Sequence, residues 1–316
     1  MGEAYTMVLS LFLLVLGFVL LVKGADFFVD GASAIARRFG IPQLVIGLTI
    51  VAMGTSAPEA AVSITAAVRG NADITIGNIV GSNILNILII LGLSSVVAPL
   101  AVTVPTLFRD IPFMIGITLL LLFQGTGGSV GFWEGMVLTL LFLAYLGYLL
   151  WAAQKDGKEL AAASAEGKKL SLWTALLGTA AGLVMIVVGS HTAVDAATNL
   201  ARLFGMSERF IGLTIVALGT SLPELFTSVS AAAKGNAEIA IGNIVGSNIF
   251  NILFVVGVSA LITPVPFSAE FYADMWIAAA AGVLLLACSV KGRKLGRRGG
   301  IAMLAGYVLY FVFICL

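Results

Sequence analysis

The sequence predicts an all-α integral membrane fold, with ten transmembrane helices arranged as two inverted five-helix repeats. Three observations carry this expectation. Of 316 residues, 60% are hydrophobic and 10% charged, with a mean hydropathy of +1.09, whereas soluble domains hold about 45–50% apolar and about 25% charged residues. Two motifs each occur twice at one common offset. Each copy carries an odd number of apolar spans, so the second must enter the membrane from the opposite side.

The apolar runs divide into spans at roughly 6–36, 42–68, 73–98, 105–124, 130–153, 171–203, 207–233, 238–262, 270–290 and 299–316, each near or above the roughly 20 residues a helix needs to cross a bilayer. The first run follows no basic stretch and precedes no convincing cleavage site, and reads as a retained helix. The longest hydrophilic stretch, 154–170, joins the halves as a linker too short for a folded domain. The expected units are therefore 1–153, a cytoplasmic linker at 154–170, and 171–316. A net charge of +1 argues against a nucleic-acid partner. Cys288 and Cys315 lie in separate apolar segments and read as small core or membrane-facing residues.

Orientation follows from the basic residues. Odd-numbered loops carry Arg37, Arg38, Arg109, Lys155, Lys158, Lys168, Lys169, Lys234, Lys291, Arg293, Lys294, Arg297 and Arg298; even-numbered loops carry Arg69, Arg202 and Arg209. The rich side is expected to be cytoplasmic, with both termini outside and the linker inside. The run from Lys291 to Arg298 reads as an anchor at the anionic inner leaflet.

Residues 46–59, IGLTIVAMGTSAPE, recur at 211–224 as IGLTIVALGTSLPE; residues 76–88, IGNIVGSNILNIL, recur at 241–253 as IGNIVGSNIFNIL. The matched letters include Gly, Thr, Ser, Pro, Glu and Asn, which apolar composition alone does not reproduce. Inverted duplication of this kind is a property of secondary transporters, whose ion sites lie near the midplane between repeats.

Glu59 and Glu224 fall well inside spans, where a carboxylate is costly and marks a functional site. Pro58 and Pro223 lack the N–H that the carbonyls of Gly54 and Gly219 would use, which permits a kink or an unwound turn, and a carbonyl freed at that depth must be satisfied by something else, as a bound cation would do. Ala52, Thr55, Ser56 and Glu59 stand at i, i+3, i+4 and i+7, one stripe of a helix; Ala217, Thr220, Ser221 and Glu224 repeat it. The stripe offers carbonyl, hydroxyl and carboxylate oxygens, which suit hard cations such as Ca2+ and Na+. One histidine and no Cys or His cluster weigh against softer metals. In the second motif Asn78, Ser82 and Asn86, with Asn243, Ser247 and Asn251, line one face. Ser82, Ser247, Asn86 and Asn251 are read as cation contacts. The pairs Asn78/Asn243 and Asn83/Asn248 are read as interhelical hydrogen-bonding residues. Three sodium-sized nests are expected: carbonyl 52 with Ser56 and Ser82, carbonyl 217 with Ser221 and Ser247, and the shared glutamates.

With their second copies, GTSAPE and GNIVGSNILN resemble the two alpha-repeats of the calcium/cation antiporter superfamily, most closely its prokaryotic sodium/calcium exchanger branch. The resemblance spans nearly the whole chain. It implies a secondary-active antiporter, not an enzyme, needing no cofactor, with Na+ and Ca2+ as transported ions, the bilayer as its surroundings and no obligate protein partner. It implies a site between the second, third, seventh and eighth helices, across which the long first and sixth helices slide. By position, Glu59 and Glu224 are the central carboxylates, Thr55, Ser56, Thr220 and Ser221 supply hydroxyls, Ala52 and Ala217 supply carbonyls, and Ser82 and Ser247 complete flanking sodium sites. Members of the family carry an aspartate where this chain has Asn251, leaving two carboxylates, which balance one Ca2+. The alternative is a proton-coupled cation antiporter; the proton-exchanging branch has a further acid where this chain has GSN. A channel does not require inverted duplication, and no protease or hydrolase motif is present.

Five further polar residues sit within spans. Lys23 and Asp26 are read as a mutually neutralising pair, Asp30 and Asp195 as interfacial or capping groups, and His191 as a packed polar residue. The orientation makes a direct prediction: a cysteine placed within 154–169 reacts from the cytoplasmic side, and labelling by an impermeant reagent in intact cells overturns it.

Overall fold

The computed structural model describes residues 2–70, 72–163, 171–206 and 217–315. It is helical nearly throughout. Helix α1 is Gly2–Phe39. A bent pair follows, α2 (Gln43–Thr55) and α3 (Ala57–Val68), meeting at 52°. Then come α4 (Ile74–Val97), α5 (Thr106–Gly125), α6 (Phe132–Ala163) and α7 (Leu172–Leu203). The short α8 (Ala217–Thr220) runs into α9 (Leu222–Ala233). α10 (Ala237–Ile262), α11 (Phe271–Val290) and α12 (Arg297–Cys315) complete the chain. Among the described residues, eight helices are long and apolar enough to cross a membrane, and the bent pair makes nine. The expected seventh span, 207–233, begins on residues outside those described. The expected linker is helical in its first part, because α6 continues to Ala163; its remainder, 164–170, lies outside the described residues.

Burial is inverted relative to a soluble protein. Large apolar side chains such as Trp173, Phe123 and Leu177 are exposed, whereas Asn, Ser, Thr and Glu side chains of the repeated motifs are buried. α4 and α10 are the most enclosed spans, and α1, α6, α7 and α12 the least. The core thus carries buried polar residues on α2–α4 and α8–α10 among the apolar ones packed there, with apolar helices around it.

The elements recur at the offset of 165 residues that also separates Asn83 from Asn248. α4 and α10 each widen into a π-helical turn, at Asn86–Leu91 and Asn251–Val256. Two short strand pairs obey the same rule crosswise. Leu100–Ala101 pairs antiparallel with Lys294–Leu295, and Ser129–Val130 with Val265–Pro266. Adding the offset to one pair generates the other, so each half clasps a loop of its partner half.

α1 and α7 pack antiparallel along their length through small residues seven apart. A Cβ on Gly17 would lie 2.9 Å from the Gly189 carbonyl, one on Gly24 2.9 Å from the Gly182 carbonyl, and one on Gly31 2.8 Å from the Ala175 carbonyl. Backbone therefore touches backbone, the close approach that small residues permit in membranes. At Gly182 a Cβ would sit 2.5 Å from the Phe28 backbone nitrogen, and neither helix can yield without separating. Gly182→Ala is expected to lower the thermal midpoint in detergent, at a cost of about 1–3 kcal/mol for overpacking. Gly147→Ala, where a Cβ meets nothing within 4 Å, is the control. Equal midpoints for the two variants would refute the backbone-contact account.

Candidate cation site

The two glutamates are at the centre. Glu59 is 1% exposed and Glu224 0%. They come from the first turns of α3 and α9, each opened by a proline, and lie within electrostatic reach of each other. The Ser56 hydroxyl donates to Glu224 Oε1 at 2.7 Å. The Ser221 hydroxyl lies beside Glu59 without closing a hydrogen bond, and Glu59 Oε2, Glu224 Oε2 and Ser221 Oγ all lack a partner. Among the described residues, no Lys, Arg or His pairs with either carboxylate.

The helix breaks that present these groups follow from the prolines. At Ser56 the backbone leaves the helical region (φ −83°, ψ 8°) and turns α2 into α3; Ser221 does the same (φ −91°, ψ 2°). The expected stripe from Ala52 to Glu59 is therefore bent rather than straight, yet Ala52, Thr55, Ser56 and Glu59 are all buried. The carbonyl released by Pro223 is recaptured by the protein: Gly219 O accepts the Ser190 hydroxyl of α7 at 2.7 Å. Ser190 carried no sequence signal, because its role depends on α7 crossing α8.

The structure interleaves the repeats. The Ser247 hydroxyl of α10 reaches the Ala52 carbonyl of α2 at 3.4 Å, so hydroxyl and carbonyl come from different halves and not from one half, as the expected nests had it. Gly246 makes this possible, since a Cβ there would lie 2.7 Å from the Leu48 carbonyl. The Thr55 hydroxyl points at Asn243 Oδ1 (3.0 Å) and at the carbonyl of Val51 (3.1 Å) in its own helix. Ser82, Ser247, Asn86 and Asn251 are all buried. Thr220 is half-buried. The backbone of Ala217 is helical, while its side chain lies outside what is described.

Asn78 and Asn243 have the bracing role expected. The Asn78 amide donates to Ser63 Oγ (2.9 Å) and the Glu59 carbonyl (3.4 Å); the Asn243 amide donates to Ser228 Oγ (2.9 Å) and the Glu224 carbonyl (3.4 Å). Each asparagine thus holds the backbone of the glutamate in its own half. Ser63 and Ser228 are a pair that sequence reading missed, though the 165-residue offset relates them too.

Outside the centre, three expectations change. Asp26 is bound by Lys234, not Lys23: Lys234 Nζ lies 3.2 Å from Asp26 Oδ1 and 2.8 Å from Asp30 Oδ1, and Ser230 donates to Asp26 at 2.8 Å. The end of α9 lies beside α1 and brings Lys234 and Ser230 to Asp26. Asp30, read as interfacial, is exposed and joins this pair. His191 is exposed on α7 rather than packed, because that helix turns its polar position outward. A further buried acid, Asp110, is held by Arg109 (2.7 Å) and by the Tyr145 hydroxyl (3.2 Å); its structural pairing contrasts with the unpaired glutamates.

Comparison with known proteins follows this geometry. A family model described as "Sodium/calcium exchanger protein" matches residues 9–151 and again 174–316. CaxA of Alkalimonas amylolytica is 43% identical over 96% of this chain and 98% of its own length. The sodium/calcium exchanger MaX1 of Methanosarcina acetivorans is 33% identical over 95% and 97%. The solved structure of the sodium-calcium exchanger NCX_Mj, soaked with zero Na+ and Ca2+, superposes with a TM-score of 0.86 at 32% identity, covering 98% of this chain and 99% of that one.

The recaptured carbonyl makes a prediction. Ser190→Ala leaves Gly219 O buried without its hydroxyl donor, a loss of about 1–3 kcal/mol, whereas Ser190→Thr restores the hydroxyl. Thermal midpoints in detergent should rank wild type and Ser190→Thr above Ser190→Ala; an unchanged Ser190→Ala midpoint removes the assignment.

Proposed function

The chain belongs to the sodium/calcium exchanger family, and from that premise we propose that it is a secondary-active antiporter in which the Na+ gradient drives Ca2+ across the membrane. One observation carries the reading. Two carboxylates, one from each half, are buried together with unpartnered oxygens and, among the described residues, no basic side chain bound to them. Buried charge is tolerated when it is paired or coordinates a metal ion. Two carboxylates match the charge of one Ca2+, and Ca2+ takes roughly six to eight oxygens.

Around Glu59 and Glu224, the oxygens of Thr55, Ser56, Thr220, Ser221, Ser82, Ser247, Asn86 and Asn251, with the carbonyls of Ala52 and Ala217, form the proposed cargo-binding set. Ca2+ and Na+ compete for it as alternative substrates. The ten-helix inverted arrangement, with units 1–153 and 171–316 and the linker between them, is supported by the double family match and by the crosswise strand pairs. Alternating access is assigned to α1 and α7, whose main packing is on each other. A cell-membrane location with both termini outside the cytoplasm is supported by the distribution of basic residues.

Exchange is proposed to be electrogenic, three Na+ for one Ca2+. A tenfold Na+ gradient gives roughly 1.4 kcal/mol per ion, and one net charge adds about 2.3 kcal/mol per 100 mV. Three ions with one net charge supply about 6.5 kcal/mol, enough for a Ca2+ gradient on the order of 10⁴–10⁵. Two ions supply about 2.8 kcal/mol, near a hundredfold.

Proteoliposomes at fixed pH and clamped voltage should take up ⁴⁵Ca when an outward-directed Na+ gradient is imposed, with a measurable exchange current. Glu59→Gln and Glu224→Gln should each abolish uptake. Near-wild-type exchange in either variant removes the proposed site. Uptake without current sets the ratio at two, and uptake that follows a proton gradient instead of Na+ overturns the coupling.

A further inference from the structure

Asn83 and Asn248 close a hydrogen-bonded ring where α4 meets α10, and Asn251 and Asn86 attach to it as two arms. Asn83 Nδ2 donates to the Asn248 carbonyl at 3.3 Å, and Asn248 Nδ2 donates to the Asn83 carbonyl at 3.2 Å. Asn251 Nδ2 donates to Asn83 Oδ1 at 3.1 Å, and Asn86 Nδ2 donates to Asn248 Oδ1 at 3.0 Å. Every exchange crosses between the halves. Two atoms of the arms remain, Asn86 Oδ1 and Asn251 Oδ1, both buried and both without a donor. Each belongs to the first residue of a π-helical turn, a local widening frequent at functional sites.

We propose that Asn83 and Asn248 are positioning residues for the cation site, each fixing which end of a neighbouring amide the site receives. A backbone carbonyl accepts and never donates. The partner carbonyl of each of these two asparagines therefore demands its NH2 end, which turns its Oδ1 to the other side. That Oδ1 also only accepts, so Asn251 must offer Asn83 its NH2, and Asn86 must do the same for Asn248. The orientation propagates in two steps from backbone to ligand. It leaves a carbonyl oxygen, not an NH2, as the free end of Asn86 and Asn251. A cation is attracted by the first and repelled by the second.

The ring also accounts for the amide at position 251. An ionised carboxylate there would set one acceptor against another, Asn83 Oδ1. An amide satisfies Asn83 and still supplies an oxygen. The two arms are independent, because Asn248 is anchored on the backbone of residue 83 and not on its side chain.

This inference rests on the exchange reading above, and its test separates the two. Sodium-driven ⁴⁵Ca uptake by the full chain in proteoliposomes is measured for Asn83→Leu, Asn251→Leu, Asn86→Leu and the doubles Asn83→Leu/Asn251→Leu and Asn83→Leu/Asn86→Leu. Loss of a residue that orients a metal ligand lowers affinity by about tenfold or more, so each single variant should raise the apparent KM for Ca2+ by about tenfold, with the maximal rate changed much less. Asn251→Leu should mask Asn83→Leu, so that their double is no worse than Asn251→Leu alone. Asn83→Leu and Asn86→Leu lie on different arms and should multiply. Asn83→Ala carries the same comparison if the leucine variant does not accumulate. If Asn83→Leu and Asn251→Leu also multiply while the wild type exchanges normally, Asn83 merely joins helices and the inference falls with the exchange reading intact. A wild type that takes up no ⁴⁵Ca overturns both.

Discussion

Two carboxylates buried in a membrane, with no basic partner among the described residues, are the condition to which the rest of this structure answers. Transferring one such ion into a low-dielectric interior costs several kcal/mol even after relaxation, and two near each other add repulsion. Asp110 shows how the same chain treats a buried acid that has only structure to maintain: Arg109 and Tyr145 enclose it. Glu224 receives a serine hydroxyl and both glutamates are braced at their backbones, but among the described residues neither meets a basic side chain. In the proposed exchange, cargo supplies the charge that this pair is left short of.

The frame around this pair has to hold oxygens still while leaving them free of protein donors. It does so by spending the donors on the backbone. Asn78 and Asn243 hold the carbonyls of the two glutamates, and Ser190 holds the carbonyl that Pro223 releases. Irregular backbone at this depth survives because it is enclosed by protein. The break at Ser56, the equivalent break at Ser221 and the π-helical turns at Asn86 and Asn251 are all packed between α2–α4 and α8–α10. The glycine contacts of α1 with α7 serve the opposite purpose, fastening two long helices to each other by direct backbone contact.

Much of this was legible in the sequence. Span positions come through because bilayer thickness imposes a minimum apolar length, and α4, α5, α7 and α10 begin and end within about two residues of expectation. The duplication comes through because polar letters recur at a fixed offset. Glu59 and Glu224 stand out because an acid inside an apolar run has few structural excuses. What sequence did not reveal belongs to tertiary contact. Lys234 displaces Lys23 as the partner of Asp26 because α9 ends beside α1. Ser247 meets the carbonyl of the opposite half because Gly246 lets α10 settle onto α2. Periodicity alone draws the stripe straight through Ser56, whereas Gly54 and Pro58 signal the break that the structure shows as a 52° bend.

The asparagine ring connects these levels. Carboxylates alone attract any cation, and their charge does not distinguish one Ca2+ from two Na+. Neutral oxygens of fixed direction add discrimination by number and geometry, since cations differ in how many oxygens they require and how far away. In the proposed cycle three Na+ bring one charge more than the two glutamates offset, and that excess has to be met by dipoles. An amide oxygen serves this purpose only if the amide cannot turn, because a rotated amide presents NH2 to the ion. Asn83 and Asn248 remove that freedom by referring each ligand to a backbone carbonyl of the opposite half. In this proposal the site's neutral ligands are set by the contact between repeats, so that holding the ion and holding the two halves together become parts of one arrangement.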